Sequence, residues 1–296
     1  MRLPTIKQLQ YFLALTETEH FGRAADRCFV SQSAFSNAIQ ELEATLSAQL
    51  VDRTNRNVTI TAKGQEVAVQ ARLVVNDIES LVETARGNDS PLAGELRLGV
   101  IPTIAPFMLP GALPKLRKSY PDLRLLLAED QTDRIVRRLM DGELDVLLLA
   151  LPWQMQGVEE MPLFRDSFCL ACREGTKRVN PKNYRYNRLD SDSILLLEDG
   201  HCLREHALAA CKLRDTEKVR RFGASSLLTL IEMVDADLGI TFLPEMARGS
   251  ALLRNTRVRL SPLDEQSYRT IGLAWRKGSR QADEFRLLGE FLRDNA

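Results

Sequence analysis

The sequence predicts an α/β protein in three parts: a small helical domain over residues 1–60, a linker helix over 61–90 and a larger α/β domain over 91–296. Two short helical patterns with a tight turn between them mark the first part, and apolar residues at steps of three and four mark the second. In the third part, strand patterns alternate with helical ones, which is typical of a parallel, helix-covered sheet.

Composition narrows the possible functions. The 40 basic and 40 acidic residues cancel, so any contact with nucleic acid must depend on how the charges are placed. No window approaches the roughly 18 consecutive apolar residues of a membrane-spanning helix, and the first ten residues lack the apolar core of an export signal. We therefore expect a cytoplasmic protein without a membrane partner.

Five cysteines occur in the chain: Cys28, Cys169, Cys172, Cys202 and Cys211. An odd number of cysteines in a reducing compartment is not typical of a structural disulfide framework. Any disulfide in this protein is therefore expected to be transient.

Residues 21–43 have the pattern of a helix, a tight turn and a second helix. Ala24 and Ala25 are small enough for the two helices to cross closely, and Ser31 can cap the second helix through its hydroxyl. The predicted inward stripe of the second helix consists of Ala34, Ala38 or Ile39, and Leu42.

The outer face of the second helix predicts a DNA contact. It carries short polar side chains suited to base edges and phosphates: Ser31, Gln32, Ser33, Ser36, Asn37 and Gln40. An ordinary helical hairpin with a solvated face is the alternative. Residues 53–61 favour DNA binding, because they look like a two-stranded wing in which Arg53 and Arg56 grip the backbone or the minor groove.

A long helix is predicted over residues 61–86, with one apolar seam formed by Val67, Ala71, Val74, Ile78, Leu81 and Ala85. A seam in this position between two domains favours pairing with a second copy of the chain. Packing of the seam on its own domain is the alternative.

The larger domain follows a polar hinge at residues 87–91. Strands are predicted at 95–102, 123–128, 145–149, 168–172, 194–197, 240–243 and 270–275, and helices at 107–118, 132–140 and 280–293. The strand at 270–275 is expected to return to the sheet formed by the first strands.

The sequence carries no recognisable cofactor or metal motif. Isolated glycines do not form a phosphate-binding loop, and only three histidines are available as ligands. Cys169 and Cys172 form a Cys-x-x-Cys, but a strand would place their sulfurs on opposite faces and no second ligand pair follows. We expect buried structural thiols there, with no cofactor and no metal.

Cys202 and Cys211 point to redox chemistry. Cys202 follows the turn at 198–200 and starts a run of good helix formers, so the helix dipole is expected to favour its thiolate, with further positive charge from His201, Arg204 and Lys212. A second cysteine nearby resolves a sulfenic acid before it over-oxidises. Two ordinary helical cysteines are the alternative.

The spacing of these two cysteines has a mechanical consequence. In a helix their α-carbons lie about 13 Å apart, at roughly 1.5 Å per residue, whereas a disulfide requires roughly 4.4 to 6.8 Å. Closing the bond must therefore unwind the segment between them.

The first 90 residues resemble the LysR-type transcriptional regulators, through the start of the second helix at Ser31-Gln32-Ser33-Ala34 and through the arginine-bearing wing. Ser47, Val51 and Lys63 depart from the usual pattern at framework positions. The resemblance implies a winged helix-turn-helix, a linker helix and a regulatory domain of two α/β lobes similar to periplasmic binding proteins, at about 91–165 with 268–296 and at 166–267. It further implies promoter DNA and RNA polymerase as partners, homodimers that assemble into homotetramers, and no enzymatic activity.

The resemblance extends to the peroxide-sensing members of this family, through residues 198–204 with Cys211, residues 101–103 and 129–132, and residues 270–273 with Arg276. It implies that Cys202 is the peroxidatic cysteine and Cys211 the resolving one, with hydrogen peroxide as the signal and antioxidant genes as targets. The implied peroxide pocket consists of Thr103, Thr132, His201 and Arg276. His206 is expected to face solvent.

The residues alone are also compatible with two other functions. A regulator of the same family that responds to a small anion or metabolite would not need Cys202 for signalling. A thiol peroxidase would need rapid turnover with a reductant, and the DNA-binding half argues against it.

Overall fold

The computed structural model describes residues 3–53, 58–85, 90–210, 218–219, 223–263 and 266–295. The small domain contains α1 (Ile6–Thr18), α2 (Phe21–Arg27), α3 (Gln32–Leu46), β1 (Val51–Arg53) and β2 (Val58–Ile60), and the long helix α4 follows (Ala62–Ala85). The two strands pair antiparallel. Together these elements form the predicted helix-turn-helix with its wing.

The core of the small domain differs from the prediction for α3. Phe35, Ile39 and Leu42 are buried, whereas Ala34 is exposed. Positions spaced by four and three residues lie on one face of a helix. The face with the large side chains packs inward because it buries more apolar area. Tyr11 of α1 stacks on Phe35, with 5.1 Å between the ring centroids.

One side of α4 belongs to the core of the small domain. Thr61 caps the helix by accepting a hydrogen bond from Gly64 N, and Ala71 and Val75 are buried against the small domain. Val74 and Leu81 of the predicted seam are 44% and 57% exposed in the single chain. The helix thus packs on its own domain and still presents an apolar face, and dimerisation through that face stays a prediction.

The larger domain contains the remaining elements. They are β3 (Gly94–Val100), α5 (Ala105–Ser119), β4 (Leu123–Glu129), α6 (Thr132–Met140), β5 (Val146–Leu151), β6 (Val158–Arg173), α7 (Cys202–Ala210), α8 (Leu227–Asp235), β7 (Thr241–Pro244), α9 (Ala251–Arg254), β8 (Val258–Pro262), β9 (Tyr268–Arg276) and α10 (Ala282–Asp294).

The sheet of the larger domain is mixed, not parallel throughout. Its order is β4-β3-β5-β9-β6-β7, with β8 also on β6. β3 runs parallel to β4 and β5, whereas β9 pairs antiparallel with β5 and β6. The expected return of the late strand to the first sheet is therefore confirmed.

β6 is the strand that the sequence predicted least well, because it begins at Val158 and not at residue 168. It pairs with β9 as far as Ser167 and then with β7 from Phe168 and β8 from Cys169, so it serves both halves of the domain. The strand predicted at 194–197 is reduced to isolated bridges.

The larger domain has two hydrophobic cores. The first surrounds β5, whose residues are all buried, and includes the inner face of α10. The second contains Phe168, Ile231 and Phe242. Cys202 packs into the first core although α7 is joined along the chain to the second. In the part of the chain described, no helix is both long and apolar enough to cross a membrane.

Gly64→Ala is expected to destabilise the small domain by roughly 1 to 3 kcal/mol, because an added methyl group must displace packed atoms. A Cβ at this position would lie 2.3 Å from the Leu50 carbonyl oxygen and 2.7 Å from Ile60 Cγ2. Thermal unfolding followed by circular dichroism measures the loss. Gly111→Ala in α5 is the control, because its Cβ would meet nothing within 4 Å; equal melting temperatures for the two variants would contradict the account.

Candidate functional site

The larger domain holds a buried thiol at the start of α7. Gly200 adopts a φ of 93°, a conformation that favours glycine, and a Cβ there would lie 2.9 Å from the side-chain oxygen of Gln131. This close approach brings the chain around Cys202 against the start of α6. Cys202 is 2% exposed, and His201 before it is also buried.

A buried ion pair lies in the same site. Arg269 on β9 and Asp166 on β6 are register partners, and their side chains are 0% and 2% exposed. Arg269 Nε donates to Asp166 Oδ2 at 2.9 Å, and Asp166 Oδ1 accepts from Met246 N at 3.2 Å. A buried charge is tolerated when its partner and hydrogen bonds satisfy it in this way.

Arg269 also holds Thr103. Its Nη1 donates to the Thr103 hydroxyl at 3.0 Å and its Nη2 to the Thr103 carbonyl at 2.9 Å. Its positive charge lowers the pKa of the Cys202 thiol. The structure therefore brings Thr103, Arg269 and Cys202 together in one region.

Arg276 does not lie in this region, contrary to the sequence expectation. It is seven residues further along β9, roughly 23 Å at about 3.3 Å per residue, and an odd spacing turns it to the opposite face. Its guanidinium donates to the carbonyls of Leu139 and Leu144. Sequence reasoning missed Arg269, whose signal is the opposite charge of Asp166 once β6 and β9 are aligned.

The Cys202 thiol does not have the low pKa expected from its helix position. Burial raises its pKa, and this effect outweighs the opposing contributions of Thr132 and Arg269. Arg204 does not supply a nearby cation as expected, since it pairs with Asp199 at 2.9 Å and donates to the Leu197 carbonyl. The resting thiol is therefore the neutral form.

Thr132 lies near this thiol, and His201 directly precedes Cys202 in the chain. The Thr132 hydroxyl lies close enough to lower the pKa of Cys202, but the contact falls short of a full hydrogen bond, and Thr132 Oγ1 has no other partner among the described residues. Burial lowers the pKa of His201, against opposing contributions from Glu198 and the backbone of Ser225, so its ring is neutral. His201 Nδ1 is likewise buried and unpaired within the described chain.

His206 lies partly buried and does not face solvent as expected. Burial with the charge of Arg269 lowers the pKa of His206 to about 4, and the nearby main chain of Pro152 only partly opposes this shift. Four residues after Cys202 on α7, it lies on the same side of the helix. The sequence signal for this placement is the spacing of four residues.

The other cysteines differ from Cys202 in their surroundings. Cys169 and Cys172 are both buried, as expected. The Cys169 thiol donates to Glu245 Oε2 at 2.7 Å, and burial together with that carboxylate raises the pKa of Cys169 to about 12. Cys211 lies outside the described residues. Within the described ranges no three histidine, cysteine or acidic side chains group as metal ligands.

The predicted DNA-contacting residues lie at the start and on the outside of α3. Ser31 caps the helix by accepting from Ala34 N at 3.3 Å. Ser31, Gln32, Ser33, Asn37 and Gln40 are exposed, whereas Ser36 is half-buried. Arg53 ends β1, but its side chain is outside the described set, as is the whole of Arg56.

Chemically, the site around Cys202 suits a small polar molecule. Buried polar atoms without partners cost free energy, and a ligand with both donors and acceptors would satisfy Thr132 Oγ1 and His201 Nδ1. The nearby guanidinium of Arg269 would favour negative charge that develops on such a molecule.

Two family models match the chain: "Bacterial regulatory helix-turn-helix protein, lysR family" over residues 6–65 and "LysR substrate binding domain" over 89–296. The transcriptional regulator EstR of Acinetobacter baylyi is 40% identical, over 98% of this chain and 97% of that protein. The transcriptional dual regulator OxyR of Escherichia coli is 38% identical, over 97% and 94%. A full-length OxyR variant from Pseudomonas aeruginosa has a similar structure, with a TM-score of 0.80, 29% identity and 99% of both chains covered.

Arg269→Met is expected to destabilise the larger domain by about 3 to 5 kcal/mol, because it leaves the Asp166 carboxylate buried without its cation. Urea denaturation measures the change. The double variant Asp166→Asn with Arg269→Met removes both charges and should lose less stability than the single variant. An equal or larger loss in the double variant would show that the ion pair is not the reason.

Acid is expected to destabilise the protein through His206. The pKa of His206 is about 4 in the fold, below its ordinary value, so its contribution is complete above about pH 6.5 and is lost as the pH falls toward 4. His206→Gln should flatten this part of the pH profile of the free energy of unfolding, measured by urea denaturation. A profile identical to that of the wild type would contradict the assignment.

Proposed function

Because the chain belongs to the LysR family of bacterial helix-turn-helix transcriptional regulators, we propose that it senses hydrogen peroxide through Cys202. The observation that carries the proposal is a buried thiol surrounded by Thr103, Thr132, His201 and Arg269. These groups offer hydroxyl, imidazole and guanidinium contacts to a small polar molecule such as hydrogen peroxide.

The first step converts the thiol to a sulfenic acid. The sulfur of Cys202 attacks one oxygen of hydrogen peroxide, the O–O bond breaks, and the leaving hydroxide takes up the thiol proton to form water. Arg269 and the threonine hydroxyls stabilise the charge on the leaving oxygen. Because the thiolate is the reactive form and the resting thiol is neutral, Cys202 must lose its proton as its sulfur attacks.

The second step forms a disulfide between Cys202 and Cys211. The Cys211 thiol loses its proton as its sulfur attacks the sulfenic sulfur; the S–S bond forms, the S–O bond breaks, and the leaving hydroxide takes up that proton and departs as water. Because a helix holds two such positions about 13 Å apart, α7 must unwind. The refolded segment then changes how subunits pair in the homotetramer, and with it the placement of the winged helices on promoter DNA and the contact with RNA polymerase.

On this proposal the protein acts in the cytoplasm as a regulator of antioxidant genes and not as an enzyme. Ser31, Gln32, Ser33, Ser36, Asn37 and Gln40 contact bases and phosphates, with Arg53 and Arg56 on the wing. Thr103, Thr132, His201 and Arg269 form the peroxide site, in which Arg269 takes the place first assigned to Arg276.

A second candidate function is a regulator that responds to a bound small-molecule effector. The identity of 40% to the transcriptional regulator EstR keeps this function open beside peroxide sensing. The unpaired polar atoms near Cys202 suit such an effector as well.

Stoichiometric hydrogen peroxide is expected to remove two hydrogens from the reduced full-length protein, mapped by mass spectrometry to a bond between Cys202 and Cys211. The DNase footprint on promoter DNA should change in parallel. Cys211→Ser should instead stop at a sulfenic acid trapped by dimedone, because the resolving thiol is gone.

Cys169→Ser is the matched control and should react like the wild type, since the pKa of the Cys169 thiol is raised to about 12. If Cys202 stays unmodified and an effector raises the melting temperature of the Cys202→Ser variant, the protein is an effector-responsive regulator. Peroxide sensing through Cys202 would then be contradicted.

A further inference from the structure

The turn between α3 and β1 is fastened to α3 by one side chain, that of Glu43. Its Oε1 accepts hydrogen bonds from two consecutive main-chain N–H groups, from Leu50 N at 2.8 Å and from Val51 N at 3.1 Å. Glu43 lies in the last turn of α3, and Val51 is the first residue of β1. One carboxylate oxygen therefore joins the helix that carries the proposed base contacts to the first strand of the wing.

The two N–H groups need an acceptor of this kind. Leu50 and Val51 are 0% and 2% exposed, and an unpaired N–H group buried away from water costs free energy. Successive N–H groups that converge on one atom form a concavity that favours an anion. Hydrogen bonds to a carboxylate are roughly twice as strong as those to a neutral acceptor. The negative charge of Glu43 therefore suits its position at this turn.

The same turn is also bound to the start of α4. Leu50 O accepts from Thr61 N at 3.0 Å, and the Thr61 hydroxyl donates to Gln49 O at 2.9 Å. Leu50 thus has its N–H bound to α3 and its carbonyl bound to residue 61. β1 runs from this point to Arg53, its last residue. The base of the wing is therefore fixed to both neighbouring helices.

Two DNA-contacting surfaces are proposed for the small domain, the outer face of α3 and the wing with Arg53 and Arg56. Phosphate contacts set the orientation of a protein on the duplex, and base contacts from a helix depend on that orientation. Both surfaces can engage one duplex only if the wing keeps a set position relative to α3. An acidic side chain in a DNA-binding domain repels phosphates, so Glu43 can favour DNA binding only through the geometry that it fixes.

We propose that Glu43 is a positioning residue for DNA binding, which holds the wing against α3 so that Arg53 and Arg56 reach the backbone while α3 lies in the groove. The side chain of Glu43 does not itself contact the DNA. This inference rests on the proposed DNA contacts of the wing and deepens them. It is independent of peroxide sensing at Cys202.

The salt dependence of DNA binding tests this role in the full-length protein. Fluorescence anisotropy with a duplex of mixed sequence, several helical turns long, gives the association constant at a series of salt concentrations. Each phosphate contact contributes about 0.9 to the slope of log K against log salt concentration. Glu43→Ala should bind roughly tenfold more weakly and reduce the slope by about 1 to 2 per bound chain, because the wing arginines no longer reach the phosphates.

Glu41→Ala is the matched control. It removes the same charge from the same helix, but the Glu41 carboxylate accepts from the Gln8 side chain on α1 at 3.2 Å. Loss of an acidic group alone should strengthen binding, so Glu41→Ala and Glu43→Ala should change the affinity in opposite directions. Glu43→Gln is the conservative variant. It retains a side-chain oxygen acceptor, and its slope should lie nearer that of the wild type than that of Glu43→Ala.

The slope also distinguishes a misplaced wing from a protein that is partly unfolded. An inactive fraction lowers the apparent affinity without removing phosphate contacts from the active molecules. Stoichiometric titration at low salt gives the active fraction of each variant. A weaker association constant with an unchanged slope, explained by a smaller active fraction, would show that Glu43 only stabilises the fold and would overturn the positioning role.

The paired variant Arg53→Ala with Arg56→Ala separates this inference from its premise. If the pair binds with the affinity and slope of the wild type, the wing contacts are wrong and the role of Glu43 is overturned with them. If the pair reduces the slope but Glu43→Ala behaves like Glu41→Ala, the positioning role alone is overturned. Glu43→Ala added to the pair should cause no further loss of affinity. A full tenfold further loss would also overturn the role, because Glu43 would then act outside the wing.

Discussion

The buried ion pair between Arg269 and Asp166 is the constraint on which the site depends. Neither charge is tolerated so far from water unless its hydrogen-bonding groups are satisfied. The antiparallel register of β6 and β9 places the two side chains opposite each other, and the rest of the guanidinium is satisfied by Thr103. Segments far apart in the chain converge because one buried cation has to be fully bonded.

Burial acts differently on two thiols of the same domain. Desolvation raises the pKa of both Cys202 and Cys169. Around Cys202 the neighbours are a hydroxyl and a cation, which oppose that rise, whereas Cys169 donates to the carboxylate of Glu245, which adds to it. The two buried thiols thus differ in their neighbours, which oppose the rise in pKa at Cys202 and add to it at Cys169.

The helix that begins at Cys202, α7, is short. α7 has nine residues, fewer than an isolated helix needs to be stable in water, so its persistence depends on what it packs against. A segment held by a few tertiary contacts can change conformation at small free-energy cost while the strands beneath it stay intact. The cores on either side of β6 supply that rigid support, since β6 runs unbroken through both.

Local patterns in the sequence were enough to predict the helix-turn-helix, the linker helix, the return of the late strand and the position of Cys202 at a helix start. Each depends on spacing within one segment. The sequence alone misplaced Arg276, the charge state of Cys202 and the exposure of His206, because pairing register and desolvation arise between segments. Arg269 and Arg276 differ by seven residues on one strand, and only the tertiary pairing with Asp166 decides which of them places its charge near the thiol.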